Sequence, residues 1–241
     1  MERRNFLKVA GAGALIAVSP SLLQQKLYAS NGKQYIAYER VQLTDAAGAP
    51  LKVSALKKEV NYVFNYPYAS TPAILLDLNS ATSSDVKLST IEGEEYIWKS
   101  GVGKDRTVVA FSAICSHQLA HPTPNDSMLQ FVDAKTPTAA YEKSSVIVCS
   151  SHLSSFDPAN GNKRLSGPAE DPLPAIVIEI DEDDSIWAVG VLGPDRFHEY
   201  FKAFKPEFKK FYGGKRKAKK KVKDSAKTLV LNEYTKEIIQ Y

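Results

Sequence analysis

The sequence predicts an all-β sandwich or barrel, and three observations predict it. Short runs rich in β-branched and aromatic residues recur from residue 34 to residue 194. Turn signals separate the runs at short spacing, as in sandwiches and barrels. No helical repeat or low-complexity tract interrupts them. With 241 residues, the chain can bury a core without staples.

The runs follow in order. Gln34 to Leu43 (QYIAYERVQL) alternates apolar and polar residues as a half-buried strand does. Val60 to Tyr66 (VNYVFNY) reads as a second strand, closed by Pro67. Ala73 to Leu78 (AILLDL) is an apolar run suited to a strand buried on both faces. Tyr96 to Lys99 and Thr107 to Ile114 follow, then Val146 to Cys149. Ala175 to Ile180 and Ile186 to Val191 flank the turn Asp181 to Ser185 (DEDDS) and read as a hairpin. From Asp195 the character changes: Phe197, Tyr200, Phe201, Phe204, Phe208, Phe211 and Tyr212 recur at three- and four-residue spacing, so residues 195–241 are expected to form a helical or irregular extension packed on the core, the alternative being packing on a partner. Leu229 to Tyr241 ends the chain as a final strand or short helix.

Charge is uneven. Lys215 to Lys223 (KRKAKKKVK) holds seven basic residues and no acid, and without it acid outweighs base. A run of this kind is read first as a solvated tail. The alternative is a surface that docks an acidic partner or anionic lipid. Nucleic acid is not expected as a partner, because no aromatic or glycine pattern interleaves the lysines.

The N-terminus pairs Arg3 with Arg4, followed by Phe6, Leu7 and Lys8 and an uncharged stretch from Val9 to Gln25. This matches the consensus of a twin-arginine export signal, which carries proteins already folded around a cofactor. Residues 1–30 are therefore expected to be a signal that is either cleaved or kept as a membrane anchor. The protein is expected in the periplasm or on the outer face of the cytoplasmic membrane.

The chemistry lies in two short segments. Cys115-Ser116-His117 and Cys149-Ser150-Ser151-His152 hold both cysteines and two of the four histidines, and each follows a β-like run. Each segment thus sits where a strand opens into a loop, the usual place for a rigid scaffold to present ligands. A lone disulfide is the bland reading of two cysteines. A tetrahedral zinc site could use the same four side chains. A mononuclear copper site would leave the second cysteine without a role. A two-iron, two-sulfur cluster with two thiolates on one iron and two imidazoles on the other uses all four.

The flanking residues resemble the Rieske family. In the second segment His152, Ser154, Phe156 and Asp157 fall where that family places His, Ser, Phe or Tyr, and Asp. Gly167-Pro168-Ala169 and Leu173-Pro174 look like the family's proline loop. The resemblance implies a Rieske-type antiparallel β domain over 34–194, with a cluster-binding part at about 102–174. It implies one 2Fe-2S cluster ligated by Cys115, His117, Cys149 and His152, and surrounded by Ser154, Phe156, Gly167 and Pro168. It also implies transfer of single electrons, with no catalysis by the chain alone.

Departures from the family pattern matter too. Two further cysteines that tie the loops together in many members are replaced by Ala120 and Ser151. The loops are then expected to be held by packing and hydrogen bonds. Phe156 stands where high-potential members carry a tyrosine that donates to a cysteine sulfur, so a lower potential is expected, one that falls with rising pH as the histidines titrate. His121 matches no ligand position and is read as a loop residue; His198 is read as a packing or surface histidine.

Four histidines are too few for a ring-hydroxylating oxygenase with its second iron site. Gly101 to Arg106, Val108 to Ser112, Tyr66-Pro67 and Leu75 to Leu78 resemble arsenite oxidase small subunits. The preferred expectation is therefore the small subunit of a periplasmic molybdenum oxidoreductase. Its partners would be a catalytic large subunit and a c-type cytochrome or copper protein. The alternatives are the Rieske subunit of a cytochrome bc complex and a standalone periplasmic carrier.

Overall fold

The β-branched runs assemble mainly into one eight-stranded sheet in a computed structural model that describes residues 28–240. The expected signal lies almost wholly outside the described residues. Among those described, no helix is long and apolar enough to cross a membrane.

The strands, in chain order, are β1 (Tyr35–Thr44), β2 (Tyr62–Asn65), β3 (Pro72–Asp77), β4 (Val86–Ser89), β5 (Glu95–Trp98), β6 (Val108–Ser112), β7 (Asp126–Ser127), β8 (Leu129–Val132), β9 (Val146–Cys149), β10 (Ser154–Asp157), β11 (Lys163–Ser166), β12 (Ala175–Ile180), β13 (Ile186–Leu192), β14 (Ser225–Lys227), β15 (Leu229–Val230) and β16 (Glu237–Ile238). The large sheet runs β14-β1-β13-β12-β6-β3-β2-β15, and a four-stranded sheet runs β11-β10-β9-β8. Each strand expected from the sequence is present, with ends shifted by a few residues at most. The structure adds β4, β7, β8, β10, β11 and β14.

Strand alternation decides what covers each face of the large sheet. Leu75, Ala110, Ile176 and Ile178 point to one side, where the aromatic extension packs. Ile74, Leu76, Val109, Phe111 and Val177 point to the other, against Leu129, Ile147, Cys149 and Phe156 of the smaller sheet. Central strands β3 and β6 are buried along their whole length, which explains their unbroken apolar sequences.

The extension forms α1 (Phe197–Ala203), α2 (Lys205–Tyr212), α3 (Lys215–Ala218) and α4 (Leu231–Tyr234). Phe197, Tyr200, Phe201 and Phe208 are buried, so the helical aromatic spacing is spent on the core. Gly213, at φ 70°, ends α2 in the left-handed conformation, and the Gly214 N–H closes on Phe208 O at 2.8 Å. The basic run is not a loose tail. Six of its seven basic side chains are exposed, but its backbone is docked: Ala69 N–H donates to Lys220 O at 2.9 Å and Val222 N–H to Pro67 O at 3.0 Å. The chain then re-enters the large sheet, β14 running parallel to β1 and β15 antiparallel to β2.

Candidate metal centre

Two strand ends and one returning loop build the site. Strand β6 ends at Ser112 and runs on into Cys115 and His117; β9 ends at Cys149, and the turn back to β10 carries His152. Cys149 pairs with Ser154 across this hairpin and with Leu129 on its other side, which fixes the root of the second loop.

The two loops have matching backbones. Leu119 and Leu153 each lie four residues after a cysteine, and both are left-handed, at φ 61° and 57°. That curl turns the intervening N–H groups toward the sulfur. The His117 and Gln118 N–H groups favour an anionic Cys115 sulfur, and those of Ser151 and His152 an anionic Cys149 sulfur. The first loop is closed further by Cys115 N–H to Ala120 O and Leu119 N–H to Cys115 O, both 2.9 Å.

The four side chains sort into two like pairs. Both cysteines are buried and free of any disulfide, and their thiols interact with each other. That contact holds the Cys115 thiol below its ordinary range; the same contact, with burial, pushes Cys149 up. The His117 and His152 rings stand edge to face with centroids 4.7 Å apart. His152 is exposed, whereas His117 is half-buried and its Nδ1 is sealed from solvent with no hydrogen-bond partner. A buried ring nitrogen without a partner is costly and fits a site built to hold a metal. No three His, Cys, Asp or Glu side chains among the described residues gather around a single point. The sorting of the donors into a thiol pair and an imidazole pair suits two metal positions, one faced by sulfur and one by imidazole.

The proline-bearing loop 167–174 locks both ligand loops. Ala169 N–H donates to the fully buried Ser154 Oγ at 3.1 Å. Ser116 Oγ donates to Asp171 O at 2.7 Å, and Ser112 N–H to Pro174 O at 2.8 Å. Gly167, at φ 81°, lies so close that a Cβ there would stand 2.5 Å from Leu153 O and from Ser154 Cα. Phe156 is fully buried in the apolar group that holds both cysteines.

His121, read from the sequence as a loop residue, is a buried brace. Its Nδ1 donates to Leu119 O at 2.7 Å, and its Nε2 lies 2.8 Å from Glu207 Oε1 on α2. Arg196 Nη1 adds a bond to Ser116 O at 3.2 Å. His198 is exposed. Sequence reasoning missed Ser116, Asp171, Arg196 and Glu207, because their contacts join segments that no motif spacing connects.

The profile of the Rieske [2Fe-2S] domain matches residues 77–177. The chain is similar to the iodate reductase subunit IdrB of Pseudomonas sp. (strain SCT), at 31% identity over 198 residues, covering 80% of each protein. It is similar also to the iodate reductase subunit IdrB of Denitromonas iodatirespirans, at 29% identity over 193 residues, covering 80% of this chain and 82% of that one. Among solved structures it resembles the soluble domain of the Rieske protein II (soxF) from Sulfolobus acidocaldarius, with a TM-score of 0.45 and 24% identity over 66% of this chain and 82% of that one.

Proposed function

Because this chain belongs to the Rieske [2Fe-2S] protein family, we propose that it is the electron-transfer small subunit of a periplasmic molybdenum oxidoreductase of the arsenite oxidase-like kind. Family membership gives it a Rieske-type 2Fe-2S cluster and an electron-transfer role. In this reading Cys115 and Cys149 hold one iron, and His117 and His152 hold the other. The observation that carries the assignment is the sorting of the four donors into a thiol pair and an imidazole pair at the tips of two matched loops.

When bound, the cluster takes up and releases a single electron. The chain sets the conditions for that exchange. Backbone N–H groups from both loops favour the anionic sulfurs. The Ser154 oxygen is occupied by Ala169 N–H, which leaves its proton free to point elsewhere. The exposed His152 edge, next to exposed Leu153, gives a short route to a docked protein, while the cysteines stay buried.

The relatives named as iodate reductase subunits support a catalytic large subunit as one partner, acting on an oxyanion. The other partner is a c-type cytochrome or copper protein. Arg3, Arg4, Phe6, Leu7 and Lys8 support export through the twin-arginine route. Replacing both arginines with lysine should leave the protein in the cytoplasm; unchanged export removes that part of the reading.

Purification of the native complex tests the whole assignment. The expected result is about two irons per small subunit, a mixed thiolate–imidazole signal in electron paramagnetic resonance, and a molybdenum-containing partner. Copurifying cytochrome b would place the chain in a quinol-oxidising complex instead. Bound zinc alone would overturn the cluster assignment.

A further inference from the structure

We propose that the C-terminal extension is a docking surface for an acidic electron-transfer protein, an inference that rests on the electron-transfer reading above. Between Lys202 and Lys223 the chain carries eleven basic side chains and a single acid, Glu207. Ten of the eleven are exposed, and Glu207 is turned inward to His121. Among the described residues, only Lys223 has an acidic neighbour, with Glu39 at 3.4 Å. The positive field is therefore left facing outward.

The field is also held in place. Lys221 bridges to Tyr68, and the neighbouring residues Lys220 and Val222 bond to Ala69 and Pro67. Lys219 Nζ lies over the Phe201 ring at 5.2 Å and Lys221 Nζ over Tyr38 at 5.5 Å. A fixed array of like charges is costly to assemble unless something outside uses it.

Its position ties it to the cluster loop. The turn 66–71 that carries the basic run lies beside Pro72, whose carbonyl accepts from Ala113 N–H at 2.9 Å, two residues before Cys115. The other attachments are His121 with Glu207 and Arg196 with Ser116. A protein seated on the extension would thus be held at the end of the sheet where the ligand loop emerges.

The chemistry favours a protein over a membrane or a nucleic acid. A helix that lies on a bilayer buries an apolar face in it. Here that face is already spent on the core, and the exposed large hydrophobics are Ile36, Ile91 and Leu153, none in the extension. For the same reason few aromatic rings are free to stack on bases. Transient redox encounters are small, charge-rich and salt-sensitive, which is what a largely unpaired basic field without large exposed hydrophobics can offer.

The test uses the full chain and an acidic blue-copper protein as probe. Calorimetric titration reads binding; stopped flow reads the transfer of one electron from the reduced cluster to Cu(II), giving Cu(I). Raising salt from about 20 mM to about 200 mM should weaken binding and slow transfer by about tenfold. A variant with Lys209→Glu, Lys210→Glu, Lys217→Glu and Lys220→Glu should lose the salt effect and bind the probe at least about tenfold more weakly. The variant should also react faster with a basic cytochrome c. Salt-independent binding, or a variant equal to the parent with both probes, overturns the proposal. So does tight binding of the parent to phosphatidylglycerol vesicles or duplex DNA while the four substitutions leave the copper protein's binding unchanged. Failure of the electron-transfer reading itself would appear differently, as the absence of the cluster signal in the reduced protein.

Discussion

His121 and Glu207 join the first ligand loop to the C-terminal extension: Nε2 lies 2.8 Å from Oε1, and the imidazole is wedged edge-on against Tyr200 and Phe204. With Leu119 O accepting from Nδ1, both ring nitrogens are engaged. The pair supplies a cross-link from a part of the chain that the family disulfide would not involve. His121→Ala leaves a carboxylate and a carbonyl without their partner and opens a gap between two rings. The expected cost is about 2 kcal/mol, read from urea unfolding. The variant should also lose iron faster to a chelator, because the loop holding Cys115 and His117 is freed at one end. Glu207→Gln, which keeps an acceptor oxygen, should do less damage. Iron loss at the parental rate would show that the brace does not support the loop.

Gly167 is the position least able to accept a side chain. Its φ is 81°, and a Cβ would meet backbone atoms of Leu153 and Ser154 at 2.5 Å, with no flexible side chain to yield. Gly167→Ala should therefore displace the second ligand loop, lowering cluster occupancy and stability together. The check is iron content per chain beside the thermal midpoint. Full occupancy with an unchanged midpoint would mean the loop can move aside at little cost.

Much of this architecture was legible in the sequence, and the reasons for the gaps are specific. β3 and β6 are buried on both faces, so they carry unbroken apolar runs that stand out. The two Cys-His segments stand out in the sequence because Cys and His at fixed offsets are rare and serve few chemistries, and the fold brings the two histidines to 4.7 Å between ring centroids. β10 (SSFD) and β11 (KRLS) were not legible, because their small and polar residues show no alternation; pairing with β9 and with each other makes them strands. The basic run looked like a solvated tail because charge periodicity reports side chains only. Its docking is through backbone groups, which leave no trace in composition. The His121–Glu207 brace spans 86 residues, and only the folded chain brings its ends together.

Ser154 and Phe156 set the expected potential in opposite ways. Ser154 is fully buried, and its oxygen accepts from Ala169 N–H at 3.1 Å. Ser154→Ala removes a hydroxyl proton available to the cluster side, and the midpoint potential should fall. It also leaves Ala169 N–H buried without a partner, at about 1–3 kcal/mol. Phe156 has no hydroxyl to give, so Phe156→Tyr should raise the potential if the new group reaches a cysteine sulfur. Potentiometric titration of both variants decides the matter. A rise for Ser154→Ala, or a fall for Phe156→Tyr, would contradict this account of how the chain tunes its centre.

Glu179 gives the fold a pH dependence away from the ligand loops. It lies on β12 with its side chain 2% exposed, Oε2 taking Arg40 Nε at 3.1 Å and Oε1 left without a partner. Burial pushes its carboxyl up, and the Arg40 guanidinium offsets part of that push. Arg40 also reaches Asp181 and lies 3.8 Å above the Trp187 ring. An acid with a raised folded-state pKa binds its proton more tightly folded than unfolded. Its contribution to stability is full below the unfolded value and is lost as pH rises through the folded one. Glu179→Gln removes that loss, so the variant should match the parent near about pH 4 and be equal or more stable near about pH 8. Arg40→Met removes the compensation and leaves a charge buried alone; it should cost about 3 kcal/mol at the higher pH and less at the lower. Urea midpoints across that range measure both effects. A parent that gains stability relative to Glu179→Gln as pH rises would show that the Arg40 bridge outweighs burial, reversing the sign assigned here.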